Sequence, residues 1–556
     1  MCIYTDDKAA QIALSLLKAY GVHKIVVSPG TTNAPIAGSV QDDPFFEAYS
    51  VVDERSAAYF AVGLSYQSGE PVVISCTGAT ASRNYLPGLT EAYYRNIPII
   101  ALTSQHWTGD YRNLEPQVTN RSTSQEDIKR YSVMLPIIKD KNDERQCITM
   151  VNNALIYATT QGRGPVHINH WLSSLEFSTK SLPDVPNAAY YTVEDLLRED
   201  CIAILADHLR GKSIGVFIGA HYVFPEPLRR VMDDFIQSYD VAVLHDHTSN
   251  YRGKNSVLIS VASDLKRIKD RPDLVIDMGS VTGEYTVKDF LLQSEFWRIS
   301  EDGELHQRWG KCQTTHFAMS EGFFFSKMAE HATGVSNHAY YSKLMKHIGK
   351  TIIPELPLSN TFISQQLAAK LPAGCSLHVS ILNSLRNIDY FNLDPSINFS
   401  CNVGGFGIDG SVSTVIGQSM VDRERLFFGI IGDLAFFYDM NSLGIRHIRN
   451  NLRLLVVNNG EGAEFHLNPR LEAQLGDKTG NLISARGHFG SVKAWAVSMG
   501  FEYITADCKK EFSNHIDTFC SPYLSRVNRP ILFEVFTRIQ DEKLSVDALR
   551  NANRTV

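Results

Sequence analysis

Residues 426–462 read LFFGIIGDLAFFYDMNSLGIRHIRNNLRLLVVNNGEG. Two apolar runs, 426–431 and 452–457, show no polar alternation, the pattern of parallel strands buried on both faces. Between them, 438–448 has room for a crossover helix. A strand, helix, strand unit brings both strand ends to the same edge of one sheet. Asp433 and Asn459 therefore come to neighbouring carboxyl ends, where open α/β sheets take ligands. A carboxylate, a carboxamide oxygen and a backbone carbonyl from the Gly-rich turn suit a hard cation such as Mg²⁺, with positions left for phosphate oxygens. The competing reading is an Asp capping a helix and an ordinary Asn-Gly turn.

Outward from this stretch, the 556 residues suffice for two to four domains, and 44% hydrophobic residues can supply a core for each. The net charge is -7 and no Lys/Arg block occurs, so nucleic acid is not an expected partner. No apolar run reaches the ~18 residues of a membrane span. The start of the chain is amphipathic and lacks a signal-peptide core, so a cytoplasmic protein is expected. Cysteines stand singly at 2, 76, 147, 201, 312, 375, 401, 508 and 520 with no Cys-x-x-Cys pair. Reduced, mostly buried thiols are expected, with neither a disulfide framework nor a zinc knuckle.

The chain predicts an α/β fold of three doubly wound parallel-sheet domains, at 1–180, 192–345 and 358–556. In the first, strands at 24–28, 51–52, 71–76, 99–103 and 164–168 alternate with helices, one of them over 55–68. A polar linker follows at 173–191. The second holds strands at 213–218, 241–244 and 274–278, and a connection around 334–360 leads to a helix at 361–370. No internal sequence repeat is evident.

Four further stretches sit at strand ends. Asp53-Glu54-Arg55 precedes the first helix, where an acidic residue is also favoured by the helix dipole alone. Pro29-Gly30-Thr31-Thr32-Asn33 and Cys76-Thr77-Gly78-Ala79-Thr80-Ala81 are turns rich in groups that can face a ligand. Residues 404–410, GGFGIDG, lead into Ser411-Val412-Ser413-Thr414, a helix start at which a ligand can approach the backbone.

Taken together, these stretches resemble the thiamin-diphosphate-dependent enzymes, most closely the menaquinone-pathway 2-succinyl-5-enolpyruvyl-6-hydroxy-3-cyclohexene-1-carboxylate synthases, over nearly the whole chain. The most specific matches are Asp53-Glu54-Arg55, residues 406–414, and Gly432-Asp433-Leu434 with Tyr438-Asp439-Met440-Asn441. The resemblance implies thiamin diphosphate and Mg²⁺ as cofactors. Glu54 would hydrogen-bond N1′ of the aminopyrimidine and promote the tautomer that takes the thiazolium C2 proton. Burial among apolar neighbours would raise its pKa. Gly78 would border the pyrimidine, and Ile408 would wedge the cofactor into its bent conformation. Gly432, Asp433, Leu434, Asn459 and Glu461 would bind the diphosphate end. The metal ligands would be Asp433, Asn459 (or Asn458, the interval being one residue short) and the Glu461 carbonyl. Gln117, or Gln125 in a competing alignment, would reach toward the reacting carbon. Homodimers or homotetramers with active sites at subunit interfaces are implied, because the two ends of each cofactor lie on different subunits in this class.

The menaquinone enzymes hold two multiply charged substrates, 2-oxoglutarate and isochorismate, with arginines. Here Thr32, beside Asn33, replaces one arginine, Val403 another, and the stretch around His106 lacks a third; Arg386 matches a fourth. Thr32, Asn33, His106, Arg386, Val403 and Glu464 are the expected substrate-site residues. His466 is an acid or base candidate, with a packed core histidine as the alternative. The expected function is a transferase or lyase that decarboxylates a 2-oxo acid donor, such as pyruvate, and passes the acyl-anion equivalent to an acceptor outside the menaquinone pair. Alternatives are a 2-oxo acid decarboxylase releasing an aldehyde and a non-catalytic cofactor-binding homologue.

Overall fold

A computed structural model describes residues 2–106, 113–120, 125–160, 164–221, 223–264, 270–283, 287–306, 308, 314–488, 490–521 and 528–552. The chain forms two compact units, one of residues 1–191 with 302–318, the other of 192–301 with 319–556. The α/β architecture read from the sequence is present in both.

The first unit is built on six parallel strands in the spatial order Glu47–Ser50, Lys24–Val27, Val72–Thr77, Ile99–His106, Val166–Leu172, Tyr131–Met134. Alternation along each strand serves two cores. Ile25, Val73 and Ile100 face helices Lys8–Ala19 and Lys141–Thr159. Val26, Ile74 and Ala101 face helices Glu54–Ser68 and Leu86–Tyr94. The chain leaves Lys24–Val27 toward one edge and Val72–Thr77 toward the other, so the crevice of this sheet opens between the turns at 28–33 and 77–79. The expected strand at 51–52 is displaced to Glu47–Ser50, because Asp53 caps the next helix through the Ser56 N–H at 3.0 Å. The expected linker contains Phe177–Thr179, which pairs antiparallel with Tyr4–Thr5.

The second unit contains two sheets. Ser256–Leu258, Asp240–His245, Ser213–Ile218, Leu274–Met278 and Glu295–Ile299 are parallel neighbours in that order. The other sheet runs Asn398–Cys401, Ser376–Val379, Phe427–Gly432, Leu452–Asn458, Ile531–Phe536, Glu502–Ala506, again parallel. In chain order this is second, first, third, fourth, sixth, fifth, the same order as the sheet of the first unit, although no sequence repeat betrays it. Its crevice opens after Ser376–Val379 and Phe427–Gly432, and the Gly432 N–H donates to Ser380 Oγ across it at 3.3 Å. Gly429 lets helix Ser411–Ser419 close on the sheet: a Cβ there would lie 3.0 Å from Leu454 and 3.3 Å from Val415.

The crossover differs from the expected helix at 438–448. The helix spans Asp433–Asp439, followed by a 3₁₀ turn at Met440–Gly444. Asp433 itself is the first helical residue, and its Oδ1 accepts the Leu434 N–H at 2.7 Å, which lets the helix start directly at the strand end. The 334–360 connection contains helix Ala339–Ile348. Among the described residues no helix is long and apolar enough to cross a membrane. Of the eight described cysteines, Cys76, Cys147, Cys375 and Cys520 are buried and Cys508 is exposed; none of the eight is in a disulfide.

Candidate active site

At the carboxyl edge of the C-terminal sheet, Asp433 is 3% exposed. Its Oδ2 accepts the backbone N–H groups of Asn459 at 3.1 Å and Gly460 at 2.7 Å, and His488 Nε2 stands 3.0 Å away. Burial raises the pKa of this carboxyl above its ordinary value, opposed by the Gly460 and Leu434 N–H groups and by His488. The strand, helix, strand unit therefore joins Asp433 to the Asn459 turn through the carboxylate itself.

The two asparagines have different jobs. Asn458 is buried, and its amide donates to Glu534 Oε1 at 2.8 Å and to the Gly490 carbonyl at 2.9 Å, so its side chain is committed to the interior. Asn459 stays at the turn, where its Oδ1 accepts the Glu461 N–H at 3.2 Å. Gly460 holds φ +80°, a conformation that glycine adopts without strain. The Glu461 carboxylate turns inward: Ser484 Oγ donates to it at 2.9 Å, Arg486 Nε at 3.2 Å, and His466 Nε2 is 2.8 Å away. His466 is 6% exposed and its Nε2 also meets Ser484 Oγ at 3.1 Å. The imidazole expected as an acid or base candidate thus braces the turn through Nε2, while its Nδ1 lies 3.7 Å from the Glu472 carboxylate.

Before this turn in the chain, Gly410 holds φ +79° and leads into helix Ser411–Ser419. Asp439 accepts the Ser413 N–H at 2.6 Å and the Ser442 hydroxyl, tying the helix start to the end of Asp433–Asp439. Ser411 Oγ is buried without a hydrogen-bond partner among the described residues. Ile408 is half-buried against the apolar clusters on both faces of the sheet. Leu434 and Gly432 are half-buried beside Asp433.

Arg386, on helix Asn383–Ile388, forms an ion pair with Glu464 on Ala463–Leu467. The Asn383 amide donates to the same carboxylate at 3.2 Å and accepts the Glu464 N–H at 2.9 Å. Val403 is 5% exposed within the apolar core. Its side chain is part of the packed interior, which corrects its expected place in a substrate pocket.

In the first unit Glu54 is the first residue of its helix and half-buried, with Asn84 Nδ2 donating to Oε2 at 3.4 Å. Within the chain this is a more open setting than the apolar enclosure expected of it. Thr32 Oγ1 donates to the Ser104 carbonyl at 2.7 Å; Asn33 donates to the Ser28 carbonyl at 3.0 Å and accepts from Ser75 Oγ at 2.6 Å. Both are buried and lace the strand ends together, so their polar atoms serve the sheet where substrate contacts were expected. Gly30 passes so close to Thr77 that a Cβ would lie 2.0 Å from Oγ1, a hydroxyl buried without a partner among the described residues. The Gly78 N–H donates to the Ser104 carbonyl at 2.6 Å, and Ala79 is held at φ +51°. His106 is exposed at the end of its strand; its neighbour Trp107 lies outside the described residues. Gln117 is exposed at φ +65°, and Gln125 is exposed ahead of a short 3₁₀ turn.

His488, Ser484 and Arg486 were missed from the sequence, whereas Asp439 stood within the Tyr438-Asp439-Met440-Asn441 match without a role. The first three stand some 20 to 30 residues beyond the Asn459 turn in a stretch with no regular periodicity. Gly487, at φ +115°, was the available signal of a loop folding over something.

A family model described as "Thiamine pyrophosphate enzyme, N-terminal TPP binding domain" matches residues 7–131. A 2-succinyl-5-enolpyruvyl-6-hydroxy-3-cyclohexene-1-carboxylate synthase of Bacteroides fragilis is 32% identical over 551 residues, 96% of this chain and 97% of the relative. The enzyme of that name from Bacteroides thetaiotaomicron is 31% identical over 96% of this chain and 97% of the relative. The one from Flavobacterium psychrophilum is 27% identical over 96% and 97%. These relatives overturn the expectation of a carboligase working on a different substrate pair. That expectation rested on three missing arginines, whereas the likeness extends along nearly the whole chain, and Thr32 and Val403 are built into the fold.

Proposed function

Because the chain belongs to the thiamin-diphosphate-dependent enzymes, in the family of the 2-succinyl-5-enolpyruvyl-6-hydroxy-3-cyclohexene-1-carboxylate synthases, we propose that it catalyses the synthase reaction for which its relatives are named. The reaction class is decarboxylation of a 2-oxo acid followed by carbon–carbon bond formation with an acceptor. The observation that carries this reading is the 32% identity over 96% of the chain together with an intact Asp433 turn. We assign 1–180 to pyrimidine binding, 358–556 to diphosphate and Mg²⁺ binding, and 192–345 to a central domain.

The residues fit these groups. Asp433 Oδ1 carries one internal donor and keeps a lone pair, Asn459 stays at the turn surface, and the unpartnered Ser411 Oγ at a helix start suits a diphosphate oxygen. In this reading Asp433, Asn459 and the Glu461 carbonyl hold Mg²⁺, an all-oxygen set proper to that ion. Bound thiamin diphosphate supplies a nucleophilic carbon and an electron sink. Glu54 would hold a proton at N1′, Gly78 would border the ring, and Ile408 would support it from the apolar side. Gln117, or Gln125, would reach toward the reacting carbon. Arg386 with Glu464, and His106, are the substrate-side groups, while His466 supports the Glu461 turn.

Exposed apolar side chains at Val52, Tyr59, Phe60 and Tyr66, on or beside the Glu54 helix, support a homodimer or homotetramer. The scattered free thiols support a cytoplasmic setting. The test is incubation with thiamin diphosphate, Mg²⁺, 2-oxoglutarate and isochorismate, with mass detection of products. The ligated product is expected, and CO₂ release without ligation, or no turnover, would refute the assignment.

A further inference from the structure

The four groups that meet Asp433 are shared unequally between its oxygens. Oδ1 accepts one N–H, from Leu434 at 2.7 Å. Oδ2 meets three groups: the Asn459 N–H at 3.1 Å, the Gly460 N–H at 2.7 Å and His488 Nε2 at 3.0 Å. A carboxylate oxygen has two lone pairs. The Asn459 and Gly460 N–H groups already fill them, and the capacity for a cation is left on Oδ1.

His488 is held in place from several sides. The Gly462 N–H donates to the Ser484 carbonyl at 2.6 Å, the Gly487 N–H to the Gly460 carbonyl at 3.4 Å, and Asn458 to the Gly490 carbonyl at 2.9 Å. The Phe437 ring packs against the imidazole edge to face, with centroids 4.9 Å apart. His488 Nδ1 is buried without a partner among the described residues. Placing the hydrogen on Nε2 leaves Nδ1 as a bare acceptor, whereas the other tautomer would bury an unsatisfied N–H and set a lone pair against a carboxylate.

We infer that His488 is a positioning residue for the metal clamp: its Nε2–H, donated to Asp433 Oδ2, fixes the carboxylate so that Oδ1 faces the cation. The imidazole acts through Asp433, just as outer groups orient metal ligands elsewhere. This rests on the proposed clamp and adds to it the side chain that sets its geometry.

The test is calorimetric titration of Mg²⁺ into the full-length protein saturated with thiamin diphosphate, for wild type, His488→Gln, His488→Leu, His488→Ala and Asp433→Ala. Gln can present an N–H near the position of Nε2; Leu and Ala cannot. His488→Leu and His488→Ala are expected to weaken Mg²⁺ binding about 10-fold or more, the usual effect of losing an outer-shell partner, with His488→Gln within about 3-fold of wild type. Unfolding of the metal-free Leu variant should match wild type, which separates positioning from a merely structural role. Should Leu and Ala bind Mg²⁺ as tightly as wild type, or more tightly, the inference fails. It fails equally where Gln falls as far as Leu. Undiminished binding in Asp433→Ala would refute the clamp itself, whereas loss in Asp433→Ala with His488→Leu unaffected refutes only the role of His488.

Discussion

Glu54 and Asp433 are both first residues of helices at strand ends, and chemistry distinguishes them. Glu54 stays half-buried, and among the described residues the Asn84 amide is its side-chain donor, at 3.4 Å. Glu54→Gln should leave the fold intact and slow turnover by about 10²- to 10⁴-fold, the range for loss of a proton-transferring group. The direct check is hydrogen–deuterium exchange at cofactor C2; exchange as fast as in wild type would remove Glu54 from the role. Asp433 is nearly enclosed and organises the turn that follows the next strand. Asp433→Ala should lower Mg²⁺ affinity by about 100-fold or more, beyond the usual outer-shell loss. Cofactor retention in gel filtration at fixed Mg²⁺ measures it. Asn458 and Asn459 could not be told apart from the sequence, since both precede the same glycine; the buried Glu534 carboxylate that claims Asn458 arrives from a strand more than seventy residues later.

At the scale of elements, the Asn459 turn is braced by helix Ile539–Ala552 as well as by the loop carrying His488. The Thr537 N–H donates to the Asn458 carbonyl at 2.9 Å, and Thr537 Oγ1 donates to Glu542 at 2.7 Å. Glu542 is buried and also accepts the Asn360 N–H at 3.0 Å. Burial pushes its pKa up to about 7, opposed by Thr537 and Asn360 and reinforced by the charges of Asp541 and Asp433. In the unfolded chain a Glu titrates near ~4.3. As pH rises, the unfolded chain loses this proton first. The contribution of protonated Glu542 is thus complete below about pH 4 and is lost as pH rises through about 7. Between pH 5 and 8 the urea midpoint of wild type should fall relative to Glu542→Gln, by a free energy of order 3 kcal/mol. Parallel pH profiles for the two proteins would count against this shift. The crossover helix was misplaced for a related reason: a carboxylate that caps its own first turn and receives the next strand's turn leaves no loop between strand and helix.

For the whole molecule, the sheets of the N-terminal and C-terminal parts share one strand order, and each opens a crevice where the chain reverses direction across the sheet. Glu54 belongs to one unit and Asp433 to the other. Tyr59 and Phe60 are 48% and 43% exposed on the Glu54 helix, and Tyr66, 66% exposed, packs only against the Arg95 guanidinium at 4.7 Å among the described cation–ring contacts. Their cover is expected from a second copy. Light scattering should return at least twice the mass of one chain. Tyr59→Asp with Phe60→Asp should shift the protein toward monomer and remove activity while preserving the far-ultraviolet spectrum. A wild-type monomer that turns over would overturn this arrangement.

The sequence by itself determined the fold class and singled out Glu54 and the Asp433 turn as the candidate site. Parallel strands buried on both faces appear as unbroken apolar runs, and Asp433 and Asn459 stand at the ends of two of them. Strand edges were off by a few residues where a capping side chain moved the boundary. Only the tertiary structure decided which asparagine turns outward, that Thr32, Asn33 and Val403 are spent on the interior, and that His488 meets Asp433. These depend on pairings between segments far apart in the chain. The order of strands in a sheet, and the donors converging on a buried carboxylate, are set by long-range packing and leave no local periodicity to read.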